Sequence, residues 1–245
     1  MRRPSTLVVL FLIMVTAICA RAEEPADKLE KTTAAGVPLQ VIRVNLADRR
    51  VRVRVEVAAG FPGADEPFAD MIARTRPTIA VNGAYFSKSS LKPIGDIVIG
   101  GRLVSQGLMG TALAITRTNE ATIRRVERDR SQDWSAYETV LACGPALVLG
   151  GRPDARPQEE GFRDPHIMGS TERMGVGITP DRHLLIVHTL APVSFSKWAE
   201  VMRALGCSDA MNLDAGASLA MYYRGRTLIP AGRRLTNLLT VKIER

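Results

Sequence analysis

Apolar and polar residues alternate strictly over residues 50–57 of this chain. All four valines fall on one face, and three arginines and a glutamate fall on the other. This period-two pattern predicts a strand with one face against the core and the other in solvent. We expect the strand to pair in antiparallel fashion with residues 39–46 across a turn at Asp48.

Further strands are predicted along the chain, mostly as hairpins. Three hairpins are predicted around turn residues: 96–99 with 102–104, 111–116 with 121–126, and 174–178 with 184–189. Other buried strands are predicted at 78–81, 140–142 and 146–149. The longest predicted loop covers residues 150–172, which are rich in proline, glycine and charge.

Two helices are predicted. The first lies around residues 70–74 and must end before Pro77. The second runs from Phe195 to Leu205, where apolar residues recur at helical spacing between a serine N-cap and Gly206. Strands outnumber helices and do not alternate with them regularly. The pattern therefore favours an α+β fold: a single domain with a mixed, hairpin-rich β-sheet packed by a few helices.

The first 22 residues have the layout of a cleavable secretory signal. Two arginines precede an apolar run that is shorter than the ~20 residues needed to span a bilayer, and Ala20-Arg21-Ala22 suits a signal peptidase. We expect a periplasmic or secreted protein that begins at Glu23 and has no stable membrane insertion; an uncleaved anchor is the alternative. Residues 23–36 are interpreted as a polar linker, and residues 37–245 as the functional domain.

The charge of the chain is mildly basic once the signal is removed. The 33 lysines and arginines exceed the 25 acidic residues, and three of the arginines lie in the signal. Outside the membrane this balance suits phosphoglycans, anionic lipids or cell-wall polymers rather than nucleic acid, although solubility alone also explains it. In this oxidising compartment Cys143 and Cys207 form either one disulfide or two buried thiols.

Two segments combine polar side chains with small residues, a pattern typical of binding sites. In an extended segment Asn212 and Asp214 face one way and their apolar neighbours face the core. The small residues 215–217 let a ligand approach backbone N–H groups. The second segment brings Asn82 into a glycine-containing turn followed by Tyr85 and Phe86; a purely structural turn with both aromatics in the core is the alternative.

These segments belong to an ordered set of motifs. The set comprises Asn-Gly-Ala-Tyr-Phe at 82–86, Pro-Ile-Gly at 93–95, Gly-Pro-Ala-Leu at 144–147, Arg-Met-Gly-Val-Gly-Ile at 173–178 followed by Asp181 and the strand 184–188, Leu-Gly-Cys-Ser-Asp-Ala-Met-Asn-Leu-Asp at 205–214, and Asn237. In this order they resemble the phosphodiester glycosidase family, which includes the lysosomal enzyme that uncovers mannose 6-phosphate and exported bacterial relatives linked to exopolysaccharide biosynthesis. The resemblance covers roughly residues 37–243, and an ordered match of several segments is more specific than one motif.

The resemblance implies an exported hydrolase of carbohydrate metabolism. Its substrate would be a sugar phosphate or phosphoglycan, whose sugar 1-phosphodiester it cleaves at the glycosidic bond without a cofactor. Because phosphate is a good leaving group, one carboxylate suffices, and Asp214 is the candidate nucleophile, base or electrostatic stabiliser. Asn212 and His188 complete the candidate catalytic set, with His188 as a general acid or, alternatively, a core or edge histidine.

Six residues are the candidate substrate-binding set: Asn82, Tyr85, Arg173, Gly216, Ser218 and Asn237. Arg173 is the phosphate candidate because its planar fork suits bidentate binding, with a structural ion pair as the alternative. No metal site is expected, since the spacings of the three histidines place no two of them on one helical face.

The sequence departs from the family pattern at two places. Ala215 and Ala217 interrupt a glycine run, and each would add ~1 kcal/mol of strain if its position needs a positive φ. His188 and Thr189 stand where relatives commonly have Asp-Gly. The alternative function is therefore a non-catalytic periplasmic glycan-phosphate binding protein in exopolysaccharide assembly. No sequence feature indicates an oligomeric state.

Overall fold

Seventeen strands and three short helices make up the part of the chain that the structure, a computed structural model, describes: residues 25–107 and 109–244. The strands are β1 (Asp27–Ala34), β2 (Val37–Asn45), β3 (Val51–Val57), β4 (Ile79–Asn82), β5 (Ile97–Ile99), β6 (Arg102–Ser105), β7 (Thr111–Ile115), β8 (Ala121–Arg125), β9 (Thr139–Ala142), β10 (Ala146–Leu149), β11 (Arg152–Pro153), β12 (Met174–Ile178), β13 (His183–Thr189), β14 (Asp209–Asn212), β15 (Met221–Tyr223), β16 (Arg226–Ile229) and β17 (Asn237–Ile243). The helices are α1 (Phe68–Thr75), α2 (Pro165–Met168) and α3 (Phe195–Ala204). The predicted signal at residues 1–22 lies outside the described residues.

The strands form three antiparallel sheets. The first has the order β1-β2-β13-β12-β14-β10-β11, the second β16-β15-β4-β17-β3, and the third β6-β5-β9-β7-β8. All three contribute to one central core, in which Ile42, Val81 and Leu141 are fully buried. The α+β prediction is confirmed: sheets dominate, and α1 and α3 cover outer faces of two of them.

Helices α1 and α3 pack on sheet faces that point away from the central core. Helix α3 buries Trp198 and Met202 against the first sheet, and α1 buries Met71 against the second. Ser194 caps α3 as expected, accepting a bond from Lys197 N at 3.3 Å. Of the described helices, none combines the length and apolar character needed to span a bilayer.

The predicted pairing of residues 50–57 with 39–46 is wrong. Strand β3 pairs with β17, whereas β2 lies between β1 and β13 in a different sheet. Both faces of β2 are buried, with Leu39 under α3 and Ile42 in the central core. A strand with two buried faces needs a sheet that is packed on both sides, and the first sheet is packed in this way. The turn after β2 therefore carries the chain from one sheet to the next.

Residues 27–34 are a strand, not part of a polar linker as their composition indicated. Strand β1 pairs with β2 over all eight of its residues, from Asp27 opposite Val44 to Ala34 opposite Val37. It lies at the edge of its sheet with mostly exposed side chains, so main-chain bonds stabilise it without an apolar period. Asp27 is buried and accepts a bond from Arg224 Nε at 2.8 Å, which fixes this edge to the second sheet.

Both described cysteines are free, buried thiols. Cys143 lies in the central core, whereas Cys207 packs with α3 on the opposite face of the first sheet. The sheet separates the two sulfur atoms, so of the two alternatives left by the sequence the structure shows two buried thiols.

Candidate functional site

A cleft of about 290 Å³ lies where loops from the first and second sheets meet. Its walls come from the segment after β4, the segment before β12 and the loop after β14. The lining residues are Tyr85, Phe86, Lys88, Ile94, Asp164, His166, Ile167, Thr171, Arg173, Asp214, Ala215, Gly216, Ala217 and Arg233. The cleft thus brings together four of the nine predicted site residues: Asp214, Tyr85, Arg173 and Gly216.

Asp214 follows β14 and is 8% exposed. Its Oδ1 accepts a bond from Ala215 N at 2.8 Å. Burial raises the pKa of Asp214 to about 6, although a hydrogen bond with Ser218 and the positive charges of Arg233 and Lys88 act in the opposite direction. The carboxyl group is therefore ionised at neutral pH and takes up a proton in mildly acidic solution.

Asn82 holds the loop that carries Asp214. Its Nδ2 donates to Asp214 O at 2.6 Å, and its Oδ1 accepts from Ala220 N at 3.1 Å. Asp214 N also donates to Gly83 O at 3.1 Å. The amide of Asn82 is 1% exposed and is outside the cleft lining. Asn82 therefore positions Asp214, which differs from its expected role in substrate binding.

Asn237 supports the neighbouring turn in a similar way. Its Oδ1 accepts from Ala84 N at 2.7 Å, and its Nδ2 donates to Ala84 O at 3.3 Å. A Cβ at Gly83 would lie 2.1 Å from Asn237 Oδ1, so only glycine fits there. Asn237 also lies outside the cleft lining and supports the turn that carries Tyr85, so its contact with substrate stays a prediction.

Asn212 and Tyr85 form a buried pair beneath the cleft. Asn212 Nδ2 donates to Tyr85 Oη at 2.8 Å, and the Asn212 side chain is fully buried. Burial raises the pKa of Tyr85 well above its usual range, so the phenol stays protonated and can donate a hydrogen bond. Tyr85 lines the cleft and Asn212 does not, so Asn212 contacts the cleft wall through Tyr85.

Arg173 forms part of the cleft wall, yet its side chain has almost no exposed surface. Its Nε donates to Val193 O at 3.1 Å, and Nη2 donates to the carbonyls of Ile167 and Gly169 at 3.3 and 2.5 Å. The guanidinium lies 3.7 Å from the centre of the Phe195 ring. Among the described residues no carboxylate lies within ion-pair distance of Arg173. The arginine therefore cradles the 167–169 segment and adds positive charge from inside the wall.

The loop after β14 accommodates its two alanines without backbone strain. Gly216 has a φ of +61°, whereas Ala215 has an extended φ of −144° and Ala217 is not among the residues with positive φ. The glycine thus occupies the one left-handed position of the run 215–217. Ser218 is 1% exposed, hydrogen-bonds Asp214, and lies outside the cleft lining. Its contact in the structure is with the Asp214 carboxylate, and its contact with substrate stays a prediction.

His188 does not line the cleft, contrary to its expected catalytic position. Strand β13, which carries it, is separated from β14 by β12 in the sheet, so His188 lies beside Met174 rather than Asp214. Its Nε2 is 3.3 Å from Glu172 Oε2, and burial lowers the pKa of the imidazole. The histidine that reaches the cleft is His166, which α2 presents from the long 150–172 segment.

Comparison with known proteins shows the family of this chain. The family model for phosphodiester glycosidases matches residues 75–242, which is more than half of the chain. The chain belongs to the phosphodiester glycosidase family. The match includes every cleft-lining residue named above. A search of curated proteins finds no match.

Solved structures similar to this family member share its fold at low identity. A hypothetical protein from Synechocystis has a TM-score of 0.76 and 14% identity over 90% of this chain, which spans 64% of that protein's length. The zebrafish N-acetylglucosamine-1-phosphodiester alpha-N-acetylglucosaminidase catalytic domain, auto-inhibited by its pro-peptide, has a TM-score of 0.72 and 19% identity over 92% of this chain and 86% of that domain. A Burkholderia pseudomallei protein described as exported has a TM-score of 0.64 and 15% identity over 84% of this chain and 74% of its own.

The cleft of this family member carries more positive charge than its motifs indicated. Lys88 and Arg233 line it, and the Arg233 guanidinium lies 5.3 Å from the centre of the Phe86 ring. Both residues are in irregular segments between strands, where no hydrophobic period places a side chain. Within residues 25–107 and 109–244, no group of three or more His, Cys, Asp or Glu side chains is arranged to hold a metal ion.

The raised pKa of Asp214 makes the stability of the fold depend on pH. The folded-state pKa of about 6 lies above the usual value of 3.8 for an aspartate, so between these pH values the folded protein binds more protons than the unfolded chain. The protonated Asp214 carboxyl therefore makes its full contribution to the free energy of unfolding below about pH 4. This contribution is lost as the pH rises through about 6. We expect Asp214→Asn to remove this dependence and to raise the free energy of unfolding at pH 7.5 by about 1–3 kcal/mol.

Denaturant unfolding of wild type and Asp214→Asn at pH 4.5 and pH 7.5 measures this effect. The difference in unfolding free energy between the two proteins should be larger at pH 7.5. An equal difference at both pH values would show that burial does not raise the pKa of Asp214.

Proposed function

We propose that this protein is an exported hydrolase that cleaves the glycosidic bond of a sugar 1-phosphodiester carried by a phosphoglycan or an exopolysaccharide-related substrate. The observation that carries the proposal is the position of Asp214: a buried carboxylate in a cleft whose other charged groups are mainly cationic. Family membership supports the substrate class.

The cations of the cleft suit the phosphate part of such a substrate. Lys88 and Arg233 reach the cleft surface, and Arg173 adds charge from inside the wall. A phosphodiester carries one negative charge, and arginine binds phosphate oxygens in bidentate fashion. In this arrangement Arg233 and Lys88 hold the phosphate, while Phe86 keeps the Arg233 guanidinium in place.

Asp214 then acts on the sugar. As the C1–O bond breaks, its electron pair goes to the phosphate oxygen, and positive charge develops on C1 and the ring oxygen. An ionised carboxylate stabilises that charge, either by electrostatics or by forming a covalent bond to C1. Water supplies the oxygen of the released sugar, and the phosphate leaves as a monoester. Tyr85 is a neutral hydrogen-bond donor for a substrate oxygen, and Asn212 orients its hydroxyl.

Turnover of a synthetic sugar 1-phosphodiester with a nitrophenyl aglycone tests the proposal. We expect release of free sugar, with activity that falls below about pH 6 as Asp214 takes up a proton. The matching free sugar 1-phosphate and a nitrophenyl glycoside without phosphate should react much more slowly. Thermal stabilisation by the phosphodiester without any product would instead favour the non-catalytic binding protein.

The proposed location is the periplasm or the exterior of the cell. The signal-like pattern of residues 1–22 supports export, and a structurally similar Burkholderia protein is described as exported. We expect N-terminal sequencing of protein recovered from the exporting host to begin at Glu23. Recovery of a chain that begins at Met1 would contradict export with cleavage.

A further inference from the structure

A groove rich in arginine lies at the far end of the molecule from the cleft. Two adjoining depressions of about 510 and 120 Å³ share Arg52, Arg117 and Asn119. We call them together the arginine groove. The arginines of its lining are Arg49, Arg52, Arg54, Arg117 and Arg182, and its acidic residues are Glu120 and Glu138. The lining thus contains five arginines and two acidic residues.

The β12–β13 hairpin separates the arginine groove from the cleft. Arg173, in the cleft wall, directly precedes β12, and Arg182, in the groove, lies in the turn at the other end of the hairpin. A strand rises about 3.3 Å per residue, so the two sites are about 20 Å apart. The groove is therefore a separate site.

Three turns, two of them after strands of the first sheet and one in the third, form a fixed frame for the groove. Leu46 N donates to Arg182 O at 2.9 Å, which joins the turn after β2 to the turn after β12. Asn119 is buried, and its Nδ2 donates to Val51 O at 2.7 Å, which joins the turn after β7. Because these main-chain positions are held together, the arginine side chains start from a fixed arrangement.

The positive charge of the arginine groove is only weakly neutralised. Among the described residues, no carboxylate pairs with Arg49 or Arg182, and both are exposed. Arg117 pairs with Glu138 at 3.0 Å while its side chain is 83% exposed, and Arg52 is 3.6 Å from Glu244. Exposed pairs of this kind contribute little and exchange readily for another anion.

We propose that the arginine groove binds the phosphate groups of an anionic glycan chain, the polymer whose sugar 1-phosphodiester enters the cleft. The identity of the polymer rests on the proposed function. Arginine forks suit phosphate oxygens, and several of them along one groove suit a chain with repeated phosphates. The lining contains no aromatic side chain on which a nucleotide base could stack, which disfavours nucleic acid.

The distance between the two sites determines what the groove does for the reaction. The hairpin between the two sites is buried, so a polymer reaches both only by passing over the surface, a path longer than about 20 Å. A small phosphodiester fills the cleft alone, whereas a polymer of that length engages both sites at once. The groove therefore increases affinity for polymeric substrate and has no effect on small substrates.

Affinity measurements with charge-reversed protein test the proposal. The variant is Arg49→Glu with Arg182→Glu, and its control is Arg102→Glu with Arg203→Glu, which makes the same change in net charge at exposed arginines outside both sites. The probe is a fluorescent oligomer of sugar 1-phosphodiester units, measured in an Asp214→Asn background so that it stays intact. An oligonucleotide with the same number of phosphates is the comparison ligand.

We expect the groove variant to bind the oligomer at least tenfold more weakly and the control variant less than twofold more weakly. Without the Asp214 change, the groove variant should keep the wild-type kcat/KM on the small nitrophenyl phosphodiester. Arg49→Gln with Arg182→Gln replaces the charge-reversed pair if reversal lowers the melting temperature. Equal weakening in both variants, unchanged affinity in the groove variant, or equal affinity for the oligonucleotide would each overturn the proposal. Absence of cleavage with groove-dependent binding would refute only the proposed function.

Discussion

Asp214→Asn should lower kcat for a sugar 1-phosphodiester by about 100-fold or more. The substitution keeps the shape of the side chain and removes the negative charge that stabilises the developing positive charge on the sugar. KM should change little, because Lys88 and Arg233 still hold the phosphate. Steady-state kinetics on protein whose melting temperature is recorded in the same buffer measures the effect.

Asp164→Asn is the matched control, because it removes the other carboxylate that lines the cleft. Asp164 is exposed and caps α2, so we expect less than a fivefold change in kcat. If Asp214 merely capped its turn, Asp214→Asn would instead cost about 1 kcal/mol of stability and leave turnover per folded molecule unchanged.

Arg173→Ala should destabilise the protein by about 3 kcal/mol and lower its melting temperature by about 6–12 °C. The change leaves the carbonyls of Val193, Ile167 and Gly169 without their charged donor and opens a void above Phe195. Differential scanning calorimetry measures the loss. The 164–172 segment, which Arg173 cradles, should also become more susceptible to limited proteolysis.

Arg233→Ala separates this structural role from phosphate binding. Arg233 is partly exposed and contacts the Phe86 ring and the Ser218 hydroxyl, so its removal should change stability by less than about 0.5 kcal/mol. It should raise KM for the phosphodiester about tenfold. For the first variant, a wild-type melting temperature of Arg173→Ala would contradict the structural role assigned to the Arg173 guanidinium.

The sequence predicted local elements well because local rules govern them. The Gly100-Gly101 turn, with φ values of 60° and 75°, and the Ser194 cap follow from short-range chemistry. The partner of a strand is a long-range property. The valine face of β3 shows that it is buried, but whether β2 or β17 pairs with it depends on the burial of β2 on both faces. Likewise, β1 is stabilised by main-chain bonds that leave no apolar signal.

The candidate site shows the same difference between residues that local motifs predict and residues that only the tertiary structure brings into place. The motif residues Asp214, Tyr85 and Arg173 reach the cleft, whereas Asn82 and Asn237 use their amides to hold the turns beneath it. Motif matching does not distinguish a side chain that touches a ligand from one that positions another residue. Lys88 and Arg233 come from irregular segments and His166 from the short helix α2, and all three enter the cleft through tertiary structure alone. His188 has suitable chemistry, but the strand order places it away from Asp214.

The most direct test of the proposed activity is to identify which bond of the substrate breaks. Hydrolysis of a sugar 1-phosphodiester in water enriched with ¹⁸O, followed by mass spectrometry of both products, identifies which atom water attacks. Cleavage of the glycosidic bond with Asp214 stabilising the sugar cation predicts that the label enters the free sugar and that the phosphate monoester stays unlabelled. Label in the phosphate product would show attack at phosphorus and would contradict the assignment of the protein as a glycosidase.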